Sequence, residues 1–398
     1  MRRIDKINSY RTFCCVLLCL ALYYSIAEAA LETSVFSNAS NESDYYASII
    51  FSENDWKTAL KFRRDLFSIG ERRVVVPGTL FYKYKHAKTE SFTINSHGFR
   101  GNEIKPKEKD EFRIVIFGES RIFGLLLAEE NTIPAVLENS LRKAFPDKNI
   151  KVLNLSVEGL TFQQIEDLAK YHYKELEPDI ILFYSIINDI NEAYIFGNVD
   201  RKPYKENEIL PPAFGAKPDE KLTMKVKLLN TIKLAFINDF SKVVQTFTEA
   251  DLPSVPVPPD KLEIADAFIR IFPKKVEDAC SYFQEQGIYT AYVLPPIIQV
   301  KRPLSEIETH LLFRQESFVP GLNLFARRCE EGLSGVFAEK RNFNVIDQTK
   351  IFNGSKETLF YDGMHFTPEG SRMSAEGLSE KLVVIIEEMQ NKNAQENR

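Results

Sequence analysis

Phe112-Arg-Ile-Val-Ile-Phe-Gly-Glu-Ser120 is the stretch on which the fold turns. A short apolar run, 112–117, stops at glycine, and a serine stands two residues on. A run that short and that continuous reads as a strand buried on both faces. The same unit recurs. Residues 151–155 and 179–184 form a second and third run, and 287–294 and 343–346 a fourth and fifth. Between them lie an amphipathic stretch at 131–145 and helical patterns at 161–175, 263–286 and 371–391. Strands alternating with helices predict an α/β chain with a parallel sheet of about five strands and helices on both faces, an αβα sandwich. Ligands of such sheets bind beyond the carboxyl ends of the strands.

The exits of those runs carry the candidate chemistry. Gly118-Glu-Ser120 leaves the first run, Gly159 follows the second, and Asn188-Asp189 follows the third. Near the C-terminus, Asp362-Gly-Met-His365 precedes the last helical pattern. At that spacing Asp362 can accept a hydrogen bond from His365 Nδ1 across one turn. This fixes the tautomer and leaves Nε2 to take a proton from a serine. Ser120 at a strand exit sits in the crevice with its amide aimed at a bound oxygen, helped by the start of a helix. The Asn188 amide and the Gly159 N–H, with no Cβ to block approach, are candidate donors to the same oxygen.

Alone, each motif has a plain structural reading. Ser120 and Gly159 could be turn or cap residues, Asn188 or Asp189 a helix cap, and Asp-x-x-His a surface turn or half a metal site. In this order they are the parts of serine acyl transfer: nucleophile Ser120, base His365, orienting carboxylate Asp362, and oxyanion donors at Ser120, Gly159 and Asn188. The other histidines, His86, His97, His172 and His310, read as structural or solvated, in a helix for His172 and in loops or edges for the rest. No metal is expected, because no second His/Asp/Glu cluster supports one. There is no Gly-rich phosphate loop or dinucleotide fingerprint.

The 398 residues are 44% apolar and 27% charged, an ordinary globular balance. The net charge of −5 comes without a basic block, which argues against a nucleic-acid partner. Arg2, Arg3, Lys6 and Arg11 precede an apolar run at 13–26, and Ala27-Glu28-Ala29 follows. Residues 1–30 therefore read as a cleaved signal peptide or a retained signal anchor, tethering the chain through 13–26. Secretory, periplasmic or extracellular placement follows from either. Of five cysteines, only Cys280 and Cys329 lie beyond that segment. They could pair on the secretory route or remain buried thiols. Sequons occur at Asn38, Asn41, Asn154 and Asn353. Asn38 and Asn41 are the credible acceptors in a eukaryotic host.

Residues 31–110 read as an N-terminal extension: a loose linker to 50, a short helix at 54–67, then short strands at 72–76, 79–84 and 91–94. The main domain spans 111–392. Residues 193–262 interrupt its rhythm after the third strand. Within them Met224, Leu228, Ile232, Phe236, Phe240, Val243 and Phe247 share one helical face. This insertion reads as extra core, a lid over the site, or a membrane-surface element.

The four blocks, in this order, resemble the SGNH (GDSL-type) hydrolase family. Ser120 matches its block-one nucleophile, Gly159 and Asn188 its oxyanion glycine and asparagine, and Asp362 and His365 its Asp-x-x-His block. The resemblance covers about residues 90–390 and includes the 95–100 loop, Pro295-Pro296 and His365-Phe-Thr-Pro-Glu-Gly370. It implies a three-layer, flavodoxin-like αβα fold and hydrolysis or transfer of acyl esters without a cofactor. The acyl ester would be a small molecule, a lipid or an acylated glycan, and a glycan hydroxyl in place of water would make the chain an O-acyltransferase. Two positions depart from the pattern. Glu119 replaces the aspartate of Gly-Asp-Ser, and Ile186 the glycine of Gly-x-Asn-Asp. Both leave room for a non-catalytic relative that binds a glycan or lipid in the crevice. Arg121 could meet an anionic substrate, but reads more simply as solvated.

Overall fold

A computed structural model describes residues 53–70, 73–197, 202–205, 256–340 and 342–396. Helix α1 (Glu53–Gly70) leads into two small antiparallel hairpins, β1 (Arg73–Val75) with β2 (Tyr82–Tyr84) and β3 (Ala87–Lys88) with β4 (Thr93–Ile94). The main chain path follows as β5 (Glu111–Gly118), α2 (Ser120–Phe123), α3 (Ile133–Ala144), β6 (Asn149–Ser156), α4 (Phe162–Leu176), β7 (Ile180–Tyr184) and α5 (Ile187–Phe196). It continues as α6 (Pro259–Gln284), β8 (Tyr289–Leu294), α7 (Glu306–Phe318), α8 (Leu322–Glu339), β9 (Asn344–Asp347) and α9 (Pro368–Glu396).

Strands β5 to β9 form one parallel sheet in the order β6-β5-β7-β8-β9. Counted along the chain this is 2-1-3-4-5, the doubly wound order whose ligand crevice opens where the winding reverses, between β5 and β7. Side chains alternate across the sheet with period two. Val115, Phe117, Ile181, Phe183, Tyr292 and Leu294 point into one apolar layer, with Leu168 of α4, Phe272 of α6 and Leu333 of α8. Ile114, Ile116, Leu182, Tyr184 and Val293 point into the other, with Leu141 of α3 and Leu382 of α9. The fold is thus the three-layer αβα sandwich expected of an SGNH-type chain. Truncating one such side chain, Phe183→Ala for example, costs about 3–5 kcal/mol.

Helices α7 and α8 are additions to the sequence reading. Buried polar residues Glu308 and Glu316 break the apolar stripe of α7, so no helical period stands out there. Its start was nevertheless legible, because Ser305 and Glu308 form a reciprocal capping box. His310 lies on this helix, not in a loop or edge. The strand expected over 79–84 begins only at Tyr82, after a turn at 77–80. Cys280 of α6 and Cys329 of α8 are free and buried, so they do not pair. Burial pushes both thiols up, which leaves them protonated and unreactive. Asn38, Asn41, the leader, the linker and the 223–247 segment fall outside the described residues. Among the described residues no helix is long and apolar enough to cross a membrane.

Candidate active site

Ser120 opens α2 directly beyond β5. Gly118 makes this turn possible: a Cβ there would lie 2.5 Å from Ile122 Cγ1. The four-residue helix ends at Gly124 in the left-handed region. Arg100, fully buried, clamps that end. Its guanidinium donates to the carbonyls of Phe123, Gly124 and Leu127 at 2.7–2.9 Å and pairs with Glu129 at 2.8 Å. The rings of Phe62, Phe92 and Phe123 surround it. The nucleophile turn is therefore held from the N-terminal extension.

The 361–366 loop brings the other two groups to the same place. Asp362 Oδ1 accepts from the backbone N–H of Met364 at 2.8 Å and of His365 at 2.7 Å, so the carboxylate organises its own turn. Its Oδ2 lies 2.8 Å from His365 Nδ1, and His365 Nε2 lies 2.8 Å from Ser120 Oγ. A carboxylate can only accept, so Nδ1 carries the proton and Nε2 is left to accept from the serine hydroxyl. Burial pushes the Asp362 carboxyl up. The His365 ring and the hydrogen bonds to both oxygens more than offset this, and hold it below its ordinary value. Tyr361 stacks on the imidazole at 5.7 Å and donates its hydroxyl to Leu125 O at 3.1 Å. Ser120, Asp362 and His365 are 6, 7 and 8% exposed, a setting in which such contacts are little screened by water.

On the facing side, neither Ser120 N nor Gly159 N donates to another described residue. Gly159 has φ +75°, and a Cβ there would lie 3.1 Å from the Tyr82 hydroxyl. Two tyrosines of the β1–β2 hairpin hold this turn. Tyr82 donates to Glu158 O at 2.6 Å and Tyr84 to Glu158 Oε2 at 2.7 Å. Asn188, in the first turn of α5, donates through Nδ2 to Leu160 O at 3.0 Å and to Glu119 Oε2 at 3.3 Å. Both amide protons are thus engaged, a change from the free donor expected. The adjacent Asp189 accepts from Phe162 N with both oxygens at 3.0 Å and from Ser185 Oγ at 2.9 Å, tying α5 to the start of α4. Burial pushes its carboxyl up to about 7.

Arg121 also differs from expectation. Arg121 is not solvated. Its Nε lies 2.5 Å from Glu119 Oε1 with both side chains fully buried. The rings of Tyr184 and Phe366 lie 5.5 and 5.6 Å from its guanidinium carbon. Ile186, in the turn between β7 and α5, is buried in the apolar layer. Asn154 is half-buried and donates to Ile122 O at 3.0 Å. His172 is buried in α4 against Phe81 and Phe99, and burial pushes it down to about 4. His97 meets Glu175 at 3.0 Å. Among the described residues no three His, Cys, Asp or Glu side chains come together as a metal would require.

No family model matches the chain, and no curated protein does. Solved structures of similar fold include an acetyl xylan esterase (12% identical, covering 68% of this chain and 99% of that one, TM-score 0.35). Another is a putative lipolytic protein of the G-D-S-L family from Desulfitobacterium hafniense (13%, 67% and 98%, 0.35). A third is a lipase/acylhydrolase from Enterococcus faecalis (15%, 68% and 95%, 0.34). At such identities and scores the likeness says nothing of this chain's chemistry, which rests on its own residues.

Proposed function

We propose that this chain is a serine ester hydrolase of the SGNH kind. The observation that carries the reading is the unbroken line from Asp362 through His365 to Ser120, two contacts of 2.8 Å each. Ser120 Oγ attacks an acyl carbonyl while His365 Nε2 takes its proton, and Asp362 stabilises the resulting imidazolium. The carbonyl oxygen, now negative, is met by Ser120 N and Gly159 N, and by Asn188 Nδ2 when one of its protons turns from Glu119 to the substrate oxygen. The tetrahedral species collapses, the ester C–O bond breaks, and His365 returns its proton to the leaving alcohol. Water then attacks the acyl-serine with His365 as base, releasing the acid and restoring Ser120.

The apolar 13–26 run behind a basic start supports delivery to the secretory route, with or without a retained membrane tether. N-terminal sequencing of exported protein, beginning near residue 30 for cleavage or near residue 1 for a tether, decides between the two. The activity is tested by turnover of short-chain p-nitrophenyl esters. The proposal expects saturable hydrolysis that vanishes in Ser120→Ala. Equal rates in the folded variant and the parent overturn it.

A further inference from the structure

The loop that carries the base is anchored by a buried ion pair that the reaction itself does not use. Phe360 bridges to Phe366, Tyr361 N donates to His365 O at 3.1 Å, and Thr367 N donates to Leu359 O at 2.9 Å. Residues 359–367 thus close on themselves, with Asp362 and His365 at the tip. The outgoing arm runs into α9. The backbone of the incoming arm is held from α7, where Glu308 in the first turn accepts at Oε1 from Leu359 N at 2.8 Å and from Phe360 N at 3.3 Å. Its Oε2 accepts from Ser305 N at 2.9 Å and from Lys301 Nζ at 2.5 Å. Lys301, on the connection from β8 to α7, also donates to Pro303 O at 2.9 Å and to Glu357 O at 3.1 Å. Both charged side chains are fully buried.

The hydrogen bonds of the pair are complete. A carboxylate has room for about four donors, an ammonium has three protons, and here all of them are used. Burying an ion pair is costly, and a packed apolar pair of the same volume is often no less stable. Stability alone therefore gives no reason to keep these charges. What an apolar pair cannot do is accept from Leu359 N and Phe360 N, the amides just ahead of Asp362. Contacts within the loop orient Asp362 and His365 towards each other. The 2.8 Å contact from His365 Nε2 to Ser120 Oγ is different, because it crosses from the loop to α2. Its length depends on where the loop is fixed to the rest of the fold.

Resting on the serine-hydrolase reading, we propose that Glu308 and Lys301 are a positioning pair for the base: Glu308 pins the incoming arm through Leu359 N and Phe360 N, and Lys301 holds the carboxylate in place, so that His365 stays within reach of the Ser120 hydroxyl. Neither side chain touches the reacting atoms, and both act through the backbone of the loop. The first turn of α7 thereby serves two ends. Ser305 and Glu308 cap the helix, and the same carboxylate sets the register between the loop and the nucleophile. Thr358 Oγ1 adds a second tie to that cap, donating to Ser305 Oγ at 2.9 Å.

The test is p-nitrophenyl acetate hydrolysis by two double variants, with kcat taken per folded molecule and well below each melting temperature. Lys301→Met/Glu308→Leu removes both charges and the anchoring oxygen. Its kcat is expected to fall about 10²-fold, the loss that a misplacement of about 1 Å brings, with KM changed by less than about threefold. Lys301→Met/Glu308→Gln also removes both charges but returns an oxygen to Leu359 N and Phe360 N. Only the hydrogen bond at Ser305 N is then missing, and kcat is expected to recover to within about fivefold of the parent. If the apolar variant does not fold, Glu308→Asp takes its place. One methylene shorter, it draws the carboxylate back from the arm and is expected to lower kcat about tenfold. A role in stability alone would lower the melting temperature of these variants and leave kcat unchanged. Parent-like kcat in the apolar variant or its substitute, or equal losses in the two double variants, overturns the pairing while leaving the esterase reading intact. A parent protein inert towards the ester and towards a serine-directed phosphonate overturns both.

Discussion

The two sides of the crevice are built differently. On the 361–366 side, the carboxylate, the imidazole and the amides that orient them lie within four residues, and a single turn makes the contacts that orient them. On the facing side, the Gly159 turn, Asn188 and Glu119 come from three strand exits. They are held by residues as far away as Tyr82 and Tyr84 on a separate hairpin. The first side is a local motif placed on a scaffold. The second exists only because the sheet has closed. The difference teaches where damage should spread. Changes on the base side act on one group, whereas changes around the oxyanion side act through neighbours and do not add.

Substitutions can break this contrast in order of size. Ser120→Ala removes the nucleophile and should lower kcat by about 10⁶. Asp362→Asn keeps the shape but gives His365 the wrong tautomer, with an expected loss of about 10⁴ in single-turnover acylation. Asn188→Ala should cost about 10²–10³ in kcat and leave KM near its parent value. Tyr82→Phe and Tyr84→Phe each remove one hydrogen bond worth about 1 kcal/mol, lowering thermal stability slightly and kcat by about fivefold or less. A Tyr82→Phe effect as large as that of Asn188→Ala would erase the distinction between donor and support.

A further expected effect is one of pH on stability. The Asp189 carboxyl is raised to about 7 by burial, against an ordinary value near 4 in the unfolded chain. Between those values the folded protein keeps a proton that the unfolded chain has lost, so its stability falls as pH rises from about 4 to about 7 and is level above. Asp362 works in the opposite sense. Its carboxyl is held below the ordinary value, so its contribution is complete above pH about 4 and is lost as acid protonates the folded form. Thermal melts of the parent and Asp189→Asn across pH 4.5–7.5 separate the two. The parent should lose ground to the variant as pH rises, and a constant difference would contradict the assignment.

What could be read from the chain follows the same divide. The parallel sheet was legible because each strand is an apolar run ending in a small or polar residue. The Asp362–His365 contact was legible because three residues of spacing span one turn. Arg121 was visible but misjudged. Its charge suggested solvent, and only its partner Glu119 explains why it is buried. Nothing in the sequence marked Tyr82 or Tyr84, since a hydroxyl that reaches a carbonyl more than seventy residues away leaves no local pattern. Helix α7 was missed because helical period is a signal of one apolar face and buried glutamates interrupt it there; α8 carries that period at Leu322, Phe325, Ala326, Cys329, Leu333 and Phe337, and was passed over although legible.

The most direct test of the central claim is reaction of the full chain with a fluorophosphonate, followed by mass analysis of the peptide that carries Ser120. The account predicts a single adduct on Ser120, formed in the parent and absent when His365→Ala removes the base. Folded parent protein that takes up no phosphonate, or takes it up at a different residue with Ser120 unmodified, would contradict it.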